Sequence, residues 1–331
     1  MSLKIVITTP VNDSTLTELK SFGEVIMNKN TAPWTRDELL AHCREADALM
    51  VFMTDRIDAD FLDQCPRLKI IAGALKGYNN IDLQACSERS VLLTNVPDLL
   101  TEPTAELTIG MMIALVRNFV PGERHIRNGE FKGWRPQYYG HSINGATIGV
   151  IGAGAVGQAT MRMLNGFDCR KLYYDKHKLP REMEQKLNAS QADIKQIQQT
   201  ADFIVLAIHL MDTTYHLVNG DFISGMKPGS FLINPARGSL VDENAVVTAL
   251  TSGQLAGYAA DTFEMEDWTI PDRPRAIHPE LIASDKTILI PHLGSAVTSV
   301  RQAIEQSAAE SIIAVCKGQI PATAVNAQDI S

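Results

Sequence analysis

Four ionic residues stand where short strand-like runs end, and their types suit acid–base work on a small anion. Arg237 follows the run 230–233 in Asn234-Pro-Ala-Arg-Gly-Ser. Asp261 and Glu266 follow the run 257–260 in Asp261-Thr-Phe-Glu-Met-Glu-Asp-Trp, and His292 follows the run 287–290 in Pro291-His-Leu-Gly-Ser. Ligands of open α/β sheets bind beyond the carboxyl ends of the strands, where all four residues fall. A histidine beside a carboxylate is an oriented general base, because the carboxylate fixes its tautomer and favours the imidazolium. A neighbouring arginine supplies a bidentate clamp for an anionic substrate. Taken singly, each has a plainer reading: Arg237 with Glu266 as a surface ion pair, His292 as a structural histidine. Their joint placement favours chemistry.

A second constellation runs from Thr147 to Gly157, an apolar strand followed by Gly-x-Gly-x-x-Gly at Gly152, Gly154 and Gly157. The first glycine permits the tight turn, the second lets a pyrophosphate approach, and the third lets the following helix close on the strand. Asp175 ends the run Arg170-Lys-Leu-Tyr-Tyr-Asp, about 20 residues on, where an acceptor for a ribose 2′-OH belongs. A carboxylate there repels a 2′-phosphate, so NAD is expected over NADP; Lys176 beside it offsets that repulsion in part or lies in solvent. Three glycines in a turn also occur for packing alone. Strand, turn, helix, strand and acid in succession point to a dinucleotide.

Positioning these groups takes two α/β units. Strand-like runs at Leu3–Ile7, Val25–Met27, Ala48–Phe52 and Leu68–Ala72 alternate with amphipathic stretches at 14–20, 35–44 and 58–65, the second opening on a Thr35-x-x-Glu38 capping box. This pattern predicts a small parallel α/β domain. Thr101 is a candidate N-cap and Pro103 sits in the first turn of a long apolar helix expected to reach about Phe119. Residues 121–146 read as irregular, and the aromatics Trp134, Tyr138 and Tyr139 fit a surface anchor, a dimer contact or an active-site wall. Strands at 147–151, 171–174, 203–207, 230–233, 257–260 and 287–290 make six, the count of a full dinucleotide-binding domain. A last helix over about 296–317 is expected to return to the first domain, making it discontinuous, with residues 318–331 loosely packed.

Composition narrows the class. The 331 residues suffice for two cores, 45% of them are hydrophobic, and the formal net charge is -8. That charge gives no basic footprint for nucleic acid, and no apolar run is long enough to cross a membrane. The five cysteines are scattered without Cys-x-x-Cys spacing, which fits reduced thiols in a cytoplasmic protein, and the histidines form no metal-ligand cluster.

Over nearly its whole length the sequence resembles the D-isomer-specific 2-hydroxyacid dehydrogenase superfamily. The marks are Gly152-Ala-Gly-Ala-Val-Gly with Asp175, Asn234-Pro-Ala-Arg-Gly-Ser-Leu-Val-Asp-Glu243, Asp261 to Glu266, and Pro291-His-Leu-Gly-Ser. The resemblance implies a Rossmann dinucleotide-binding domain over 101–294. It also implies a smaller, discontinuous, flavodoxin-like α/β substrate (lid) domain over 1–100 and 295–331, a cleft between the two, and a homodimer. It implies Arg237, Glu266 and His292 as the catalytic set. For NAD it implies contacts from Lys76, Thr104, Gly152, Gly154, Ala155, Val156, Gly157, Asp175, Ala207, Ile208, His209, Pro235, Ala236, Arg237, Asp261, His292 and Gly294.

Within the superfamily, several stretches resemble the phosphonate (phosphite) dehydrogenases. They include Phe52-Met-Thr-Asp-Arg-Ile-Asp, Ala74-Leu-Lys-Gly-Tyr-Asn-Asn, Val96-Pro-Asp-Leu-Leu-Thr, Gly129-Glu-Phe-Lys-Gly-Trp-Arg-Pro-Gln-Tyr-Tyr-Gly and Gly257 to Arg275. That resemblance implies a substrate site of Met53, Lys76, Gly77, Trp134, Tyr139 and Arg301, with phosphite as the small anionic partner. Lys76 is its most telling residue, because carboxylate-reducing relatives usually carry a small or apolar residue there. Ala236 and the Asp175-Lys176 pair depart from the pattern and bear on the cofactor. Two rivals stand beside it: a hydroxypyruvate or glyoxylate reductase with the same catalytic set, and an NAD-binding module like the C-terminal-binding-protein corepressors. Formate dehydrogenases, also relatives, carry an amide where this chain has Glu266.

Overall fold

The computed structural model describes residues 3–96, 98–267 and 269–330; Pro97 and Trp268, which stand in two of the matching stretches, lie outside them, as does Ser331 of the tail. The chain divides into two compact units, Met1–Leu100 with Ala296–Ser331, and Thr101–Ser295. Ser295 thus falls in the larger unit.

In the smaller unit, β1 (Leu3–Ile7), α1 (Asp13–Lys20), β2 (Gly23–Met27), α2 (Arg36–Cys43), β3 (Ala48–Val51), α3 (Ala59–Asp63), β4 (Ile70–Gly73), α4 (Leu83–Glu88) and β5 (Leu92–Thr94) alternate along the chain. The strands form one parallel sheet in the order β2-β1-β3-β4-β5, the flavodoxin-like order. Side chains alternate across a strand, so Ile5, Ile7 and Met50 face one way and Val6, Leu49 and Val51 the other. The first set packs with Leu19 of α1; the second packs with Leu40, Phe61 and Cys86 of the next three helices. The helix starts follow local chemistry. Thr35 and Glu38 close a reciprocal capping box on α2, and Asp58 and Asp82 cap α3 and α4.

The larger unit opens with α5 (Thr101–Val116) and α6 (Phe119–Arg127). The second helix corrects the expectation of one helix to Phe119 followed by irregular chain. Asn118 turns into the left-handed region at φ 52, which ends α5, and Pro121 sits in the first turn of α6, where its missing N–H costs nothing. Then come β6 (Thr147–Ile151), α7 (Ala155–Met163), β7 (Arg170–Tyr174), α8 (Arg181–Leu187), β8 (Ala189–Gln191), α9 (Ile194–Thr200), β9 (Phe203–Leu206), α10 (Gly220–Ser224), β10 (Ser230–Asn234), α11 (Glu243–Ser252), β11 (Leu255–Ala260), α12 (Pro279–Ala283) and β12 (Thr287–Leu289). The parallel sheet has seven strands, β12-β11-β10-β9-β6-β7-β8, one more than the sequence suggested. The extra one is the short edge strand β8, whose Ala-Ser-Gln carries no apolar run.

The last helix, α13 (Thr298–Cys316), lays Ile304, Ala308 and Ile312 on the β1, β3 and β4 face of the smaller sheet. Residues after it are not loosely packed, which corrects that expectation. Ala324 bridges Thr94 antiparallel, the Val325 amide donates to Leu93 O (2.8 Å), and buried Asn326 accepts from the Leu93 amide (2.9 Å) and donates to Val91 O (3.0 Å). The tail therefore covers the outer strand β5, whose backbone groups would otherwise face water.

Candidate active site

Strand β6 lies beside β9, and the helices after them pack on opposite faces of the larger sheet: α7 with the Ile148 and Val150 side, α10 with the Ile204 and Leu206 side. Such a switch point opens a crevice at the carboxyl ends of the strands. Gly152 crosses it at φ +103, and a Cβ there would lie 2.2 Å from Ala207 O, so only glycine fits. Gly157 packs as closely on the Gly152 carbonyl, while Gly154, capping α7, faces open space with nothing within 4 Å of a Cβ. Ala155 and Val156 head that helix, where first-turn amides have no partner within the helix. Asp175 accepts from the Ala153 amide (2.8 Å) through one oxygen and from the His177 amide (3.1 Å) through the other. A carboxylate has about four acceptor positions, which leaves capacity for ribose hydroxyls. Open cradle, helix head and acid together fit a dinucleotide. Ala207-Ile208-His209 and Pro235-Ala236 follow β9 and β10 along the same edge.

Further along that edge the acid–base groups meet. His292 stands after β12 at φ +55, a left-handed conformation rare for a non-glycine residue, fixed by its amide donating to Asp261 O (2.9 Å) and Ile290 O (3.0 Å). Its Nδ1 lies 2.6 Å from Glu266 Oε2. An ionised carboxylate only accepts, so Nδ1 donates and Nε2 keeps its lone pair for chemistry. Glu266 is held in turn by the Phe263 amide on Oε1 (2.9 Å). Asp261, 1% exposed, accepts from the amides of Leu293 (2.6 Å) and Gly294 (2.8 Å), and the Thr104 hydroxyl of α5 donates to Gly294 O (3.3 Å). Burial pushes the Asp261 carboxyl up to about 6, against the pull of those amides and of His292.

Arg237 is half-buried at the tip of a turn shaped by Asn234, which accepts from the Ala236 amide (3.1 Å) and donates to Arg237 O (2.8 Å). Burial lowers its guanidinium pKa, opposed by the charges of Asp267 and Glu266. Asp267 also accepts from the Ser239 amide (2.8 Å), and Gly238 presses on the Phe263 backbone, where a Cβ would overlap at 1.8 Å. These contacts lock the Arg237 turn to the turn carrying Glu266. Asn234, Gly238 and Asp267 escaped the sequence reading as positioning groups; an Asn opening a turn was the one available signal.

Residues 109–294 match the family description "D-isomer specific 2-hydroxyacid dehydrogenase, NAD binding domain". The chain is 36% identical to a glyoxylate reductase of Pyrococcus horikoshii, covering 100% of this chain and 98% of that one. The chain belongs to the D-isomer specific 2-hydroxyacid dehydrogenases. A glyoxylate reductase of Thermofilum pendens is also 36% identical, over 98% of this chain and 94% of its own. A solved structure from Thermus thermophilus superposes with TM-score 0.89 at 31% identity, covering 98% of this chain and 100% of that one. As a family member the chain is an oxidoreductase, and its larger unit is an NAD-binding domain. The names glyoxylate reductase fit the 2-oxo-acid alternative better than phosphite oxidation.

The residues that the phosphite resemblance implies for substrate stand as follows. In the smaller unit, Met53 follows β3, and Lys76 and Gly77 follow β4, again at carboxyl ends. Asn80 ties the two loops by donating to Phe52 O (3.2 Å) and Asp55 O (2.6 Å). Burial lowers the Lys76 ammonium pKa, with Asp98 opposing. In the first turn of α13, the Arg301 guanidinium lies 5.6 Å from the Phe52 ring centroid, and its Nη1 is buried with no hydrogen-bond partner among the described residues. In the larger unit Trp134 and Tyr139 are 74% and 73% exposed, near Phe131 (52%) on the same loop. Neither packs into a wall of its own unit. Among the described residues no His/Cys/Asp/Glu group could hold a metal, and no helix is long and apolar enough to cross a membrane.

Proposed function

We propose that this dehydrogenase oxidises phosphite to phosphate with NAD. The supply of cations carries the reading. Lys76, half-buried after β4, and Arg301, with a buried nitrogen lacking a hydrogen-bond partner among the described residues, are two cations of the smaller unit beyond the one guanidinium, Arg237, that the acid–base turns of the larger unit hold. A carboxylate substrate needs one bidentate clamp, whereas phosphite is a compact dianion that rewards further positive charge away from water. NAD, which the β6–α7 turn and Asp175 would hold, would supply the hydride acceptor. In this assignment His292 Nε2 takes a proton from the water that attacks phosphorus. The water oxygen joins phosphorus as the P–H hydride leaves, giving phosphate, NADH and a proton. Glu266 orients His292 and stabilises the imidazolium. Met53, Gly77, Trp134 and Tyr139 are assigned to the substrate site, and a homodimer is the expected assembly.

The second reading is reduction of glyoxylate or hydroxypyruvate, and the full-length relatives bearing the first name favour it. There His292 delivers its proton to the carbonyl oxygen as hydride arrives, and Arg237 clamps the carboxylate. Parallel assays separate the two, following NADH formation with phosphite and NADH consumption with glyoxylate. Phosphite turnover is expected, with Lys76→Met lowering its kcat/KM roughly 10- to 100-fold, the effect of losing a charged contact of about 1.5–3 kcal/mol. Glyoxylate turnover without phosphite turnover would replace the first reading by the second.

A further inference from the structure

The short helical turn Glu264–Glu266 carries two acids that point to different partners. Glu266 reaches His292; Glu264 runs inward, 4% exposed. One Glu264 oxygen accepts from the Glu243 amide at the head of α11 (2.9 Å), and the other lies 2.9 Å from His216 Nε2. Glu243, equally buried, returns the contact by accepting from the Glu264 amide (3.1 Å) and also accepts from the His278 amide (3.2 Å). Each glutamate therefore holds the other's backbone. His216 is bound from a second side, its amide donating to Ser239 O (2.8 Å) in the Arg237 turn, with its ring stacked 4.0 Å from Tyr215.

A three-residue turn has too few bonds of its own to fix a side chain beyond it. Two carboxyls buried with one histidine as the sole ion-pair partner among the described residues are a costly way to gain stability alone. A fully paired buried network does, however, specify one arrangement of the loops it joins. We propose that Glu264, locked to Glu243 and His216, is a positioning residue that holds the Glu266 carboxylate on His292 Nδ1. It touches no reacting atom and acts through the turn it shares with Glu266. This role rests on the Glu266–His292 pair serving hydride transfer, with either substrate.

Two variants test it, Glu264→Ala and Glu264→Gln, read by steady-state kinetics and by the Nδ1–H proton resonance of His292 in cofactor-free protein. Alanine is expected to lower kcat roughly 10- to 100-fold, since a misplacement of about 1 Å costs that order of rate, while KM for NAD stays within about twofold. The downfield Nδ1–H resonance is expected to weaken or move upfield. Glutamine, which still accepts from the Glu243 amide, is expected to restore most of both. A folded Glu264→Ala with an unmoved resonance and kcat overturns the inference, and so does equal loss of kcat and NAD affinity, the mark of general damage. His216→Ala removes one contact of the same carboxylate on the partly exposed side and serves if the first variant fails to fold. A smaller change of the same kind is expected there, and none overturns the inference. The resonance needs no substrate, so its failure is separable from failure of the phosphite or glyoxylate reading.

Discussion

Asp261 shows how burial decides a protonation state. Its oxygens are committed to two backbone amides, yet the cost of burying the charge prevails and the carboxyl is pushed up to about 6. A raised folded-state pKa means the fold holds the proton more tightly than the unfolded chain does. The resulting stabilisation is complete below about pH 4 and is lost as pH rises through about 6. Measured against Asp261→Asn by denaturant unfolding, the wild-type chain should lose roughly 3 kcal/mol of its relative stability between about pH 4 and pH 8. A difference independent of pH would mean that Asp261 titrates like a solvated acid. Its amide donors belong to Leu293 and Gly294, so the same ionisation bears on the segment that presents His292.

Among the elements, the turn from β6 into α7 separates two uses of glycine. Gly152 is required by its own backbone; Gly154 has room for a methyl group, and its φ of -71 suits any residue. Gly154→Ala should therefore fold with an unchanged thermal midpoint while NAD binds about tenfold or more weakly, as titration of NADH fluorescence would show. Unchanged affinity would place the pyrophosphate elsewhere. This turn was legible in the sequence because backbone sterics leave so little choice of residue. The acids and the histidine after β11 and β12 were legible too, since strand ends are where such sheets bind ligands. What stayed hidden was β8, too short and polar to show a period, and α6, masked by Pro121 and Gly122. The reciprocal Glu243–Glu264 contact was hidden for another reason. It pairs side chains with backbone amides 21 residues apart, and no local pattern encodes that.

At the scale of the whole molecule, each unit has its own parallel sheet and its own core on both faces of that sheet. The smaller one is closed by chain from its far end: α13 on one face, and Asn326 with its neighbours along β5. Removing residues 318–331 would expose the Leu93 amide and the Val91 carbonyl to water, at about 0.5–1.5 kcal/mol for each hydrogen bond lost. Hydrogen exchange of the smaller sheet should accelerate, β5 first, while the larger sheet keeps its protection. Equal acceleration in both sheets would contradict two separately stabilised cores. Asn326→Ala should show the same order in milder form.

That return of the chain sets an order on synthesis. A ribosome finishes residues 101–295 while the β1–β5 segment still lacks the helix that buries Ile5, Ile7 and Met50. The nascent nucleotide-binding unit can complete its hydrophobic interior at once, whereas the first hundred residues must wait with an apolar sheet face bare. During that interval they are the part of the polypeptide most exposed to chaperones and to aggregation.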